Sequence, residues 1–344
     1  MYFEDEPRKK KRKKKRRKPL AALGCFLLKL LLRVLLILLI IGVVLYALPV
    51  GLFITDPSGE LAPSDELDTN IINILLLGVD RSDNPSNPSS GAQRSDTIII
   101  MSVGYNRLSL TSIMRDTQVH VPGYGMCKLN AAYAYGGPEL TMRTLNENFG
   151  LNITKYIVVD FFAVADIINA LGGIDVQITY REQEELNRIL KDNWKKDFSK
   201  RGYDVSETSL LDCDFTNADS EGRITVHLDG FQALAYARIR KVGNSDYERT
   251  LRQREVISLA ISEFKSGWYN PIMLYSIADA FIRNTDTNMN VFELISIGSK
   301  AIFAGDIPQL RLPANGTYSD DGSSLVNVDF DKNLGIFTDF VYGE

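Results

Sequence analysis

Residues 71–80 read Ile-Ile-Asn-Ile-Leu-Leu-Leu-Gly-Val-Asp, and residues 94–117 read Arg-Ser-Asp-Thr-Ile-Ile-Ile-Met-Ser-Val-Gly-Tyr-Asn-Arg-Leu-Ser-Leu-Thr-Ser-Ile-Met-Arg-Asp-Thr. The run Ile71–Leu77 is short and apolar without alternation, the pattern of a strand buried on both faces. Thr97–Val103 and Leu108–Ile113 read as two more strands, joined as a hairpin by Gly104-Tyr105-Asn106-Arg107. Charged residues punctuate all three strands. Asp80 ends the first, Arg94-Ser95-Asp96 opens the second and Met114-Arg115-Asp116 follows the third. Between them Arg81–Gln93 holds two Pro, four Ser and two Asn, a loop composition.

Further along, Lys128-Leu129-Asn130-Ala131-Ala132-Tyr133 leads to Gly136-Gly137, and Pro138–Phe149 fits a helix with Pro at its start. Tyr156–Val159 is a strand. Phe161–Leu171 is a helix stopped by Gly172-Gly173, and Val176–Ile178 is another strand. Asp229–Arg238 reads as a helix. So does Asp246–Phe264, whose Leu251, Val256, Leu259, Ala260 and Phe264 recur at helical spacing. Helices over Pro271–Arg283 and Val291–Phe303, a strand over Ile307–Leu312 and a helix over Phe330–Val341 close the chain. This mixing of elements predicts an α/β fold, an α-β-α sandwich with a mixed central sheet flanked by helices. Residues 181–222 are charged and irregular. They read as an insertion near the site mouth, with an exposed helix over Glu182–Trp194.

The N-terminal end has a different character. Arg8–Lys18 is an unbroken basic run, and Leu20–Ile54 is almost wholly apolar, interrupted early by Lys29 and Arg33. Val34–Ile54 carries no charge for 21 residues, about 31 Å of helix and enough to cross a bilayer core. The run is too long for a cleaved signal peptide and no small-x-small site follows it. The division predicted is therefore a cytoplasmic basic tail (1–19), a transmembrane anchor (20–54), a linker (55–70) and a body (71–344). The basic run places the tail inside, next to anionic lipid head groups, and the body outside.

The net charge of −4 over 344 residues conceals a split. Residues 1–49 hold 13 Lys and Arg against 3 Asp and Glu, whereas the remainder holds 26 against 40. An acidic body argues against nucleic acid as a partner, because a phosphate backbone needs a broad basic surface. The basic tail is tethered to a membrane, which leaves DNA binding by the tail a weak reading. Cys127 and Cys213 lack metal-site spacing, and pairing between them is as open as two free thiols. His120 and His227 are the only histidines and read as structural or solvated. With no Gly-x-Ser-x-Gly motif, nothing supports a Ser-His-Asp triad.

Within this acidic body the arginines stand out. Besides Arg94 and Arg115 there are Arg238-Ile239-Arg240, Asp246-Tyr247-Glu248-Arg249 and Arg252-Gln253-Arg254. Guanidinium forks match phosphate oxygens two at a time. Paired carboxylates hold Mg²⁺, with waters and substrate phosphates completing its shell. Surface salt bridges are the bland alternative for any single arginine. The set as a whole points to a site for a magnesium-bound pyrophosphate.

The ordered motifs carry a resemblance. They are Ile-Leu-Leu-Leu-Gly-Val-Asp80, Arg94-Ser95-Asp96-Thr97, Ser112-Ile113-Met114-Arg115-Asp116-Thr117, Lys128–Tyr133, Leu171-Gly172-Gly173-Ile174-Asp175-Val176, Leu228-Asp229-Gly230 running to Arg238-x-Arg240, and Asp246-x-x-Arg249-x-x-Arg252-Gln253. In this order they resemble the LytR-CpsA-Psr family, from about Asn70 to Arg254. Met114 stands where that family often has Pro, and the loop before Arg94 is longer than usual. The resemblance implies an extracytoplasmic phosphotransferase. It would move a teichoic acid, capsule or similar polymer from an undecaprenyl-pyrophosphate carrier to a peptidoglycan hydroxyl, assisted by Mg²⁺. It implies metal contacts from Asp80 and Asp96. Pyrophosphate contacts would come from Arg94, Arg115, Lys128, Arg238, Arg240, Arg249, Arg252 and Gln253. Asp96, Arg115, Arg238, Arg240 and Asp246 would be catalytic. Asp246 is the candidate general base, with Asp96 or a merely solvated N-cap at Asp246 as alternatives. The same site with water as acceptor would make a pyrophosphate hydrolase. A wall-binding or attenuator-type regulator is the non-enzymatic reading, disfavoured because a sugar binder needs no acidic pair.

Overall fold

The apolar run at Ile71 forms the centre of a six-stranded mixed sheet in a computed structural model. The structure describes residues 59–68, 70–79, 95–191, 210–243 and 245–343, with the side chains of Phe161, Ser245 and Asp246 outside that description. The basic run, the apolar stretch 20–54 and the Asp80–Arg94 loop fall outside the described residues. Among the described residues no helix is long and apolar enough to cross a membrane.

Strand β1 (Ile72–Val79) pairs antiparallel with β2 (Ser95–Gly104) and parallel with β6 (Lys155–Asp160). The hairpin partner β3 (Arg107–Ile113) lies outside β2, then β10 (Gln309–Leu312) parallel to β3. On the opposite side β9 (Thr285–Thr287) closes on β6, giving the order β10-β3-β2-β1-β6-β9. The hairpin turn places Asn106 at φ 56°, in the left-handed region that Asn tolerates better than most residues.

Both faces of β1 are covered, as its unbroken apolar run requires. Leu75, Leu77 and Val79 face one core with Ile98, Ile100 and Ile113, under helices α1 (Asn130–Phe149) and α8 (Phe330–Tyr342). Ile72 and Ile74 face a second core with Val103 and Leu108. Helices α5 (Ser245–Gly267), α6 (Pro271–Asn284) and α7 (Val291–Phe303) supply its other wall through Ile261, Phe281 and Ile297. The predicted sandwich is thus present: a mixed sheet between two helical layers. One polar residue, Asn73, sits inside at 1% exposure. Its amide donates to Asn152 Oδ1 (2.7 Å) and Tyr342 Oη (2.8 Å), and its carbonyl accepts from Ser102 Oγ (2.6 Å).

A third apolar cluster forms beyond the main sheet. Helix α2 (Phe161–Leu171) leads through Gly172-Gly173 into β7 (Ile174–Thr179), and β7 pairs antiparallel with β8 (Arg223–Leu228). Ile174, Val176 and Ile178 pack on Leu186 of α3 (Tyr180–Ile189), on α4 (Gly230–Ala237) and on Val256 of α5. Helix α3 was expected to be an exposed helix running to Trp194. Its described part carries Glu182, Gln183, Glu185 and Leu186 buried, so it is not an exposed helix, and residues 192–194 lie outside the described residues. A capping box explains its start, with the Thr179 hydroxyl accepting from Glu182 N while the Glu182 carboxylate accepts from Thr179 N. Helix α1 begins earlier than the predicted Pro138. It has a first arm from Asn130, a break at Gly136 and Gly137, and a second arm beginning at the proline. A small hairpin of β4 (Gln118–Val121) and β5 (Gly125–Lys128) precedes it. A short ladder of β11 (Ser319–Asp320) and β12 (Leu325–Val326) precedes α8. Cys127 and Cys213 are both free thiols, so no bridge joins them.

Candidate active site

Strands β1, β3, β6 and β10 run the same way, and β2 runs against them. One edge of the sheet therefore collects the end of β1 leading to Asp80, the start of β2 with Asp96, and the end of β3 leading to Arg115. The approach is tight there. A Cβ on Gly78 would lie 2.8 Å from Thr97 Cβ, so only glycine fits beside the β2 start. The β1–β2 register shifts between Gly78 and Val79, a local bulge at the point where both chains reach the site.

Arg115 organises this edge. Its Nη1 donates to Asp96 Oδ1 at 2.5 Å, and its Nε donates to Asp116 Oδ2 at 3.3 Å. Lys128 Nζ, at the end of β5, donates to Asp116 Oδ1 at 3.0 Å and to the Ser323 carbonyl at 2.5 Å. The result is a chain Asp96–Arg115–Asp116–Lys128 whose side chains are about 20–37% exposed, reachable by a ligand without being fully solvated. The turn beneath them is pinned by backbone bonds: Asn130 N to Arg115 O (3.1 Å), Leu129 N to Thr117 O (2.8 Å) and Leu325 N to Asp116 O (3.0 Å).

The remaining arginines come from the α4–α5 region. Asp229 caps α4 and accepts from Phe231 N and Gln232 N. A Cβ on Gly230 would lie 2.0 Å from the Ala165 carbonyl oxygen, so α4 presses backbone against α2. Helix α4 stops at Arg238, and beyond it Ile239 is fully buried between a half-buried Arg238 and an exposed Arg240. Arg238 keeps αR geometry (φ −101°, ψ −2°) and Ile239 N bonds the Tyr236 carbonyl at 3.1 Å, so the chain leaves α4 through a turn and not as the extended pair expected. On α5, Arg249 (2% exposed), Arg252 (4%) and Gln253 (9%) are all buried.

Arg252 faces protein groups. Its Nε donates to Glu182 Oε1 (2.9 Å), Nη2 to the Val242 carbonyl (3.1 Å) and Nη1 to the Ile239 carbonyl (3.4 Å). The guanidinium lies 5.9 Å over the Tyr236 ring. It holds the backbone that carries Arg238 and Arg240, a placement different from the phosphate contact expected of it. Sequence reasoning assigned Glu182 no part in this arrangement, although Thr179-x-x-Glu182 is a readable capping box. Asp80 and Arg94 lie outside the described residues, as does the side chain of Asp246, the second residue of α5. Tyr135 stacks on Tyr124 with ring centroids 4.3 Å apart and both side chains exposed.

A magnesium ion implied by the resemblance can be tested against the donors. Asp96 Oδ1 accepts from Arg115, and its side chain is 31% exposed, which leaves the carboxylate reachable by a cation. Among the described residues no group of three or more His, Cys, Asp or Glu could cage a metal. Mg²⁺ characteristically binds through one or two carboxylates plus phosphates and waters, so this donor set fits it.

Fold and edge together define an α/β domain that gathers arginines and carboxylates where strands end. The profile of the LytR_cpsA_psr family matches residues 54–338, and the chain belongs to that family. Among curated relatives, the teichoic acid transferase TagU of Oceanobacillus iheyensis is 34% identical over 232 residues, 65% of this chain and 60% of that protein. The chain thus spans less than two thirds of that relative's length. The regulatory protein MsrR of Staphylococcus aureus is 28% identical over 280 residues, 78% of this chain and 74% of its own. A solved LytR-CPS2A-psr family protein, YwtF (TagT) with bound octaprenyl pyrophosphate lipid, superposes with a TM-score of 0.53 at 21% identity. The superposition covers 79% of this chain and 91% of that one, a likeness of fold.

Proposed function

We propose that this protein is a membrane-anchored phosphotransferase. It moves a glycopolymer from an undecaprenyl-pyrophosphate carrier to a peptidoglycan hydroxyl. The observation that carries the reading is the Asp96–Arg115–Asp116–Lys128 chain at the sheet edge, in a chain of a family whose relative TagU is named a polyisoprenyl-teichoic acid–peptidoglycan transferase. The uncharged stretch Val34–Ile54 behind the basic run supports the anchor.

In the reaction an acceptor hydroxyl oxygen bonds to the phosphorus that bears the sugar. The bond from that phosphorus to the bridging oxygen breaks, so a phosphodiester forms and isoprenyl phosphate leaves. The hydroxyl proton passes to a carboxylate, Asp246 or Asp96. Such a transfer depends on positioning and charge stabilisation. Arg115 offers a fork already oriented by two carboxylates. Arg238 and Arg240 approach from the end of α4, with Arg94, Lys128, Arg249 and Gln253 completing the phosphate contacts. Arg252 acts through the loop it anchors. Mg²⁺ held by Asp80 and Asp96 would neutralise charge on the phosphates.

The test incubates the full chain in detergent with a labelled polyprenyl-pyrophosphate glycan, Mg²⁺ and peptidoglycan fragments, followed by mass analysis. Fragments that gain the polymer mass plus one phosphate support transfer. Free glycan phosphate with unmodified fragments means that water is the acceptor and the protein is a hydrolase. An unchanged donor overturns both.

A further inference from the structure

Arg254 and Arg311, to which no phosphate contact is assigned above, lie together with no counter-charge among the described residues. Arg254 of α5 is 5% exposed, and its Nε donates to Gln309 Oε1 of β10 at 3.1 Å. Its Nη1 is buried and meets no acceptor. Arg311 follows two residues along β10. It stacks at 4.8 Å over the ring of Tyr247 in the first turn of α5 and lies 5.9 Å from the ring of Tyr318. Its donors reach only neutral oxygens, Asn315 Oδ1 at 2.5 Å and Tyr318 Oη at 3.5 Å. Among the described residues no Asp or Glu pairs with either guanidinium. Burial chiefly, with the neighbouring positive charge of Arg311 adding to it, pulls Arg254 down to about 10.

The location makes this costly arrangement informative. β10 is parallel to β3, and Arg311 is in register with Ser112, three residues before Arg115. The Ser112 hydroxyl is itself buried with no hydrogen-bond partner. Tyr247 stands between Asp246 and Arg249. The pair therefore adjoins the proposed active site, with the buried Arg254 Nη1 still lacking an acceptor and Arg311 bonded only to neutral oxygens on one flank of it. A buried cation needs an opposing charge, and two adjacent ones need it more. Stacking on Tyr247 fixes Arg311 without consuming its N–H groups.

We infer that Arg254 and Arg311, with Ser112 and Tyr247, form a second anion subsite that takes a phosphate group of the donor not held by Arg115, Arg238 and Arg240. This rests on the transferase reading for the identity of the donor. Two sources offer the same chemistry, the carrier's diphosphate and a phosphodiester further along an anionic polymer. Two probes separate them: geranyl diphosphate, which has no polymer, and a glycerol-phosphate oligomer, which has no diphosphate.

The full chain in detergent micelles is titrated calorimetrically with each probe, as wild type, Arg311→Gln and Arg311→Lys. Arg311→Gln is expected to weaken at least one probe about tenfold or more, the loss of a charge-assisted contact. Weakening of geranyl diphosphate assigns the subsite to the carrier, and weakening of the oligomer alone assigns it to the polymer. Arg311→Lys, which keeps the charge and loses the fork, is expected to fall between wild type and Arg311→Gln. It serves as the deciding variant if Arg311→Gln melts early. Unchanged affinity for both probes in both variants overturns the subsite. A wild type that binds neither probe overturns it together with the transferase reading. A chain that binds, weakens on substitution and yet transfers no glycan supports the subsite while sinking only the transferase.

Discussion

Arg115 donates to carboxylates on two different residues, and this double hold fixes a fork that a lysine cannot reproduce. Arg115→Lys should lower kcat/KM by roughly 30- to 150-fold, the effect of about 2–3 kcal/mol in the transition state. The melting temperature should scarcely move, because the group is partly exposed. An unchanged rate in the glycan-transfer assay would remove Arg115 from the mechanism. Glu182 makes the opposite case. It is the anion of a buried pair with Arg252, their side chains 11% and 5% exposed. Glu182→Ala leaves a guanidinium uncompensated and should cost roughly 3–5 kcal/mol. In a domain of this size that lowers the melting temperature by on the order of 10 °C. His227 supplies a pH dependence. Its Nδ1 meets Asp175 Oδ1 at 2.7 Å and its Nε2 meets the Gly172 carbonyl at 2.9 Å. The Asp175 bond above all raises its pKa above the usual histidine value. A raised folded-state pKa means that the stabilisation is fully present below the unfolded pKa of about 6.5 and fades as pH rises through the folded value. With both side chains more than 60% exposed the effect is small. Thermal melts from pH 5 to 9 should show a slight decline that Asp175→Asn abolishes.

The elements that the sequence announces are those whose pattern is set locally. Phe161–Leu171 and Val291–Phe303 form helices with those same limits, because an Asp160 or Asn290 cap starts each and an apolar face sustains it. The β1, β2 and β3 strands follow directly from their apolar runs. What escaped notice depends on distant partners. β8 was missed although Ile224, Val226 and Leu228 alternate with polar residues, since its pairing with β7 spans a long charged segment. β9 is three residues long and is a strand only because β6 offers an edge. For the candidate site, motif order singles out Asp96, Arg115 and the α4–α5 arginines. It did not disclose that Arg252 turns to Glu182, 70 positions away, or that Arg254 reaches Gln309, 55 positions away. Side-chain destinations are tertiary facts that spacing does not encode. The α2–α4 contact gives an element-scale prediction. Gly230→Ala forces a methyl onto the Ala165 carbonyl, so α4 must move. Overpacking of this kind costs typically 1–3 kcal/mol or more. Because α4 ends at Arg238, glycan transfer should fall along with the melting temperature. Retention of full activity would show that Arg238 tolerates the displacement.

At the scale of the whole chain, the charge division predicts that the body lies outside the membrane. Protease added to intact protoplasts should digest it and leave a small N-terminal fragment, whereas a protected body would reverse the assignment. Elsewhere, the outermost strand on one side of the sheet, β10, and the helix that covers the β3 side of the core, α8, come late in the order of the described elements, with only the short β11–β12 ladder between them. That order has a consequence for biogenesis. Synthesis delivers β1, β2 and β3 long before the strand that completes them, and β3 keeps a bare hydrogen-bonding edge throughout the interval. A ribosome that halts before Gln309 releases a polypeptide whose open edge invites pairing with any extended chain nearby. Gln309–Leu312 replaces the seven-residue edge of β3 with one of four residues, and a short edge strand offers less to an unrelated chain.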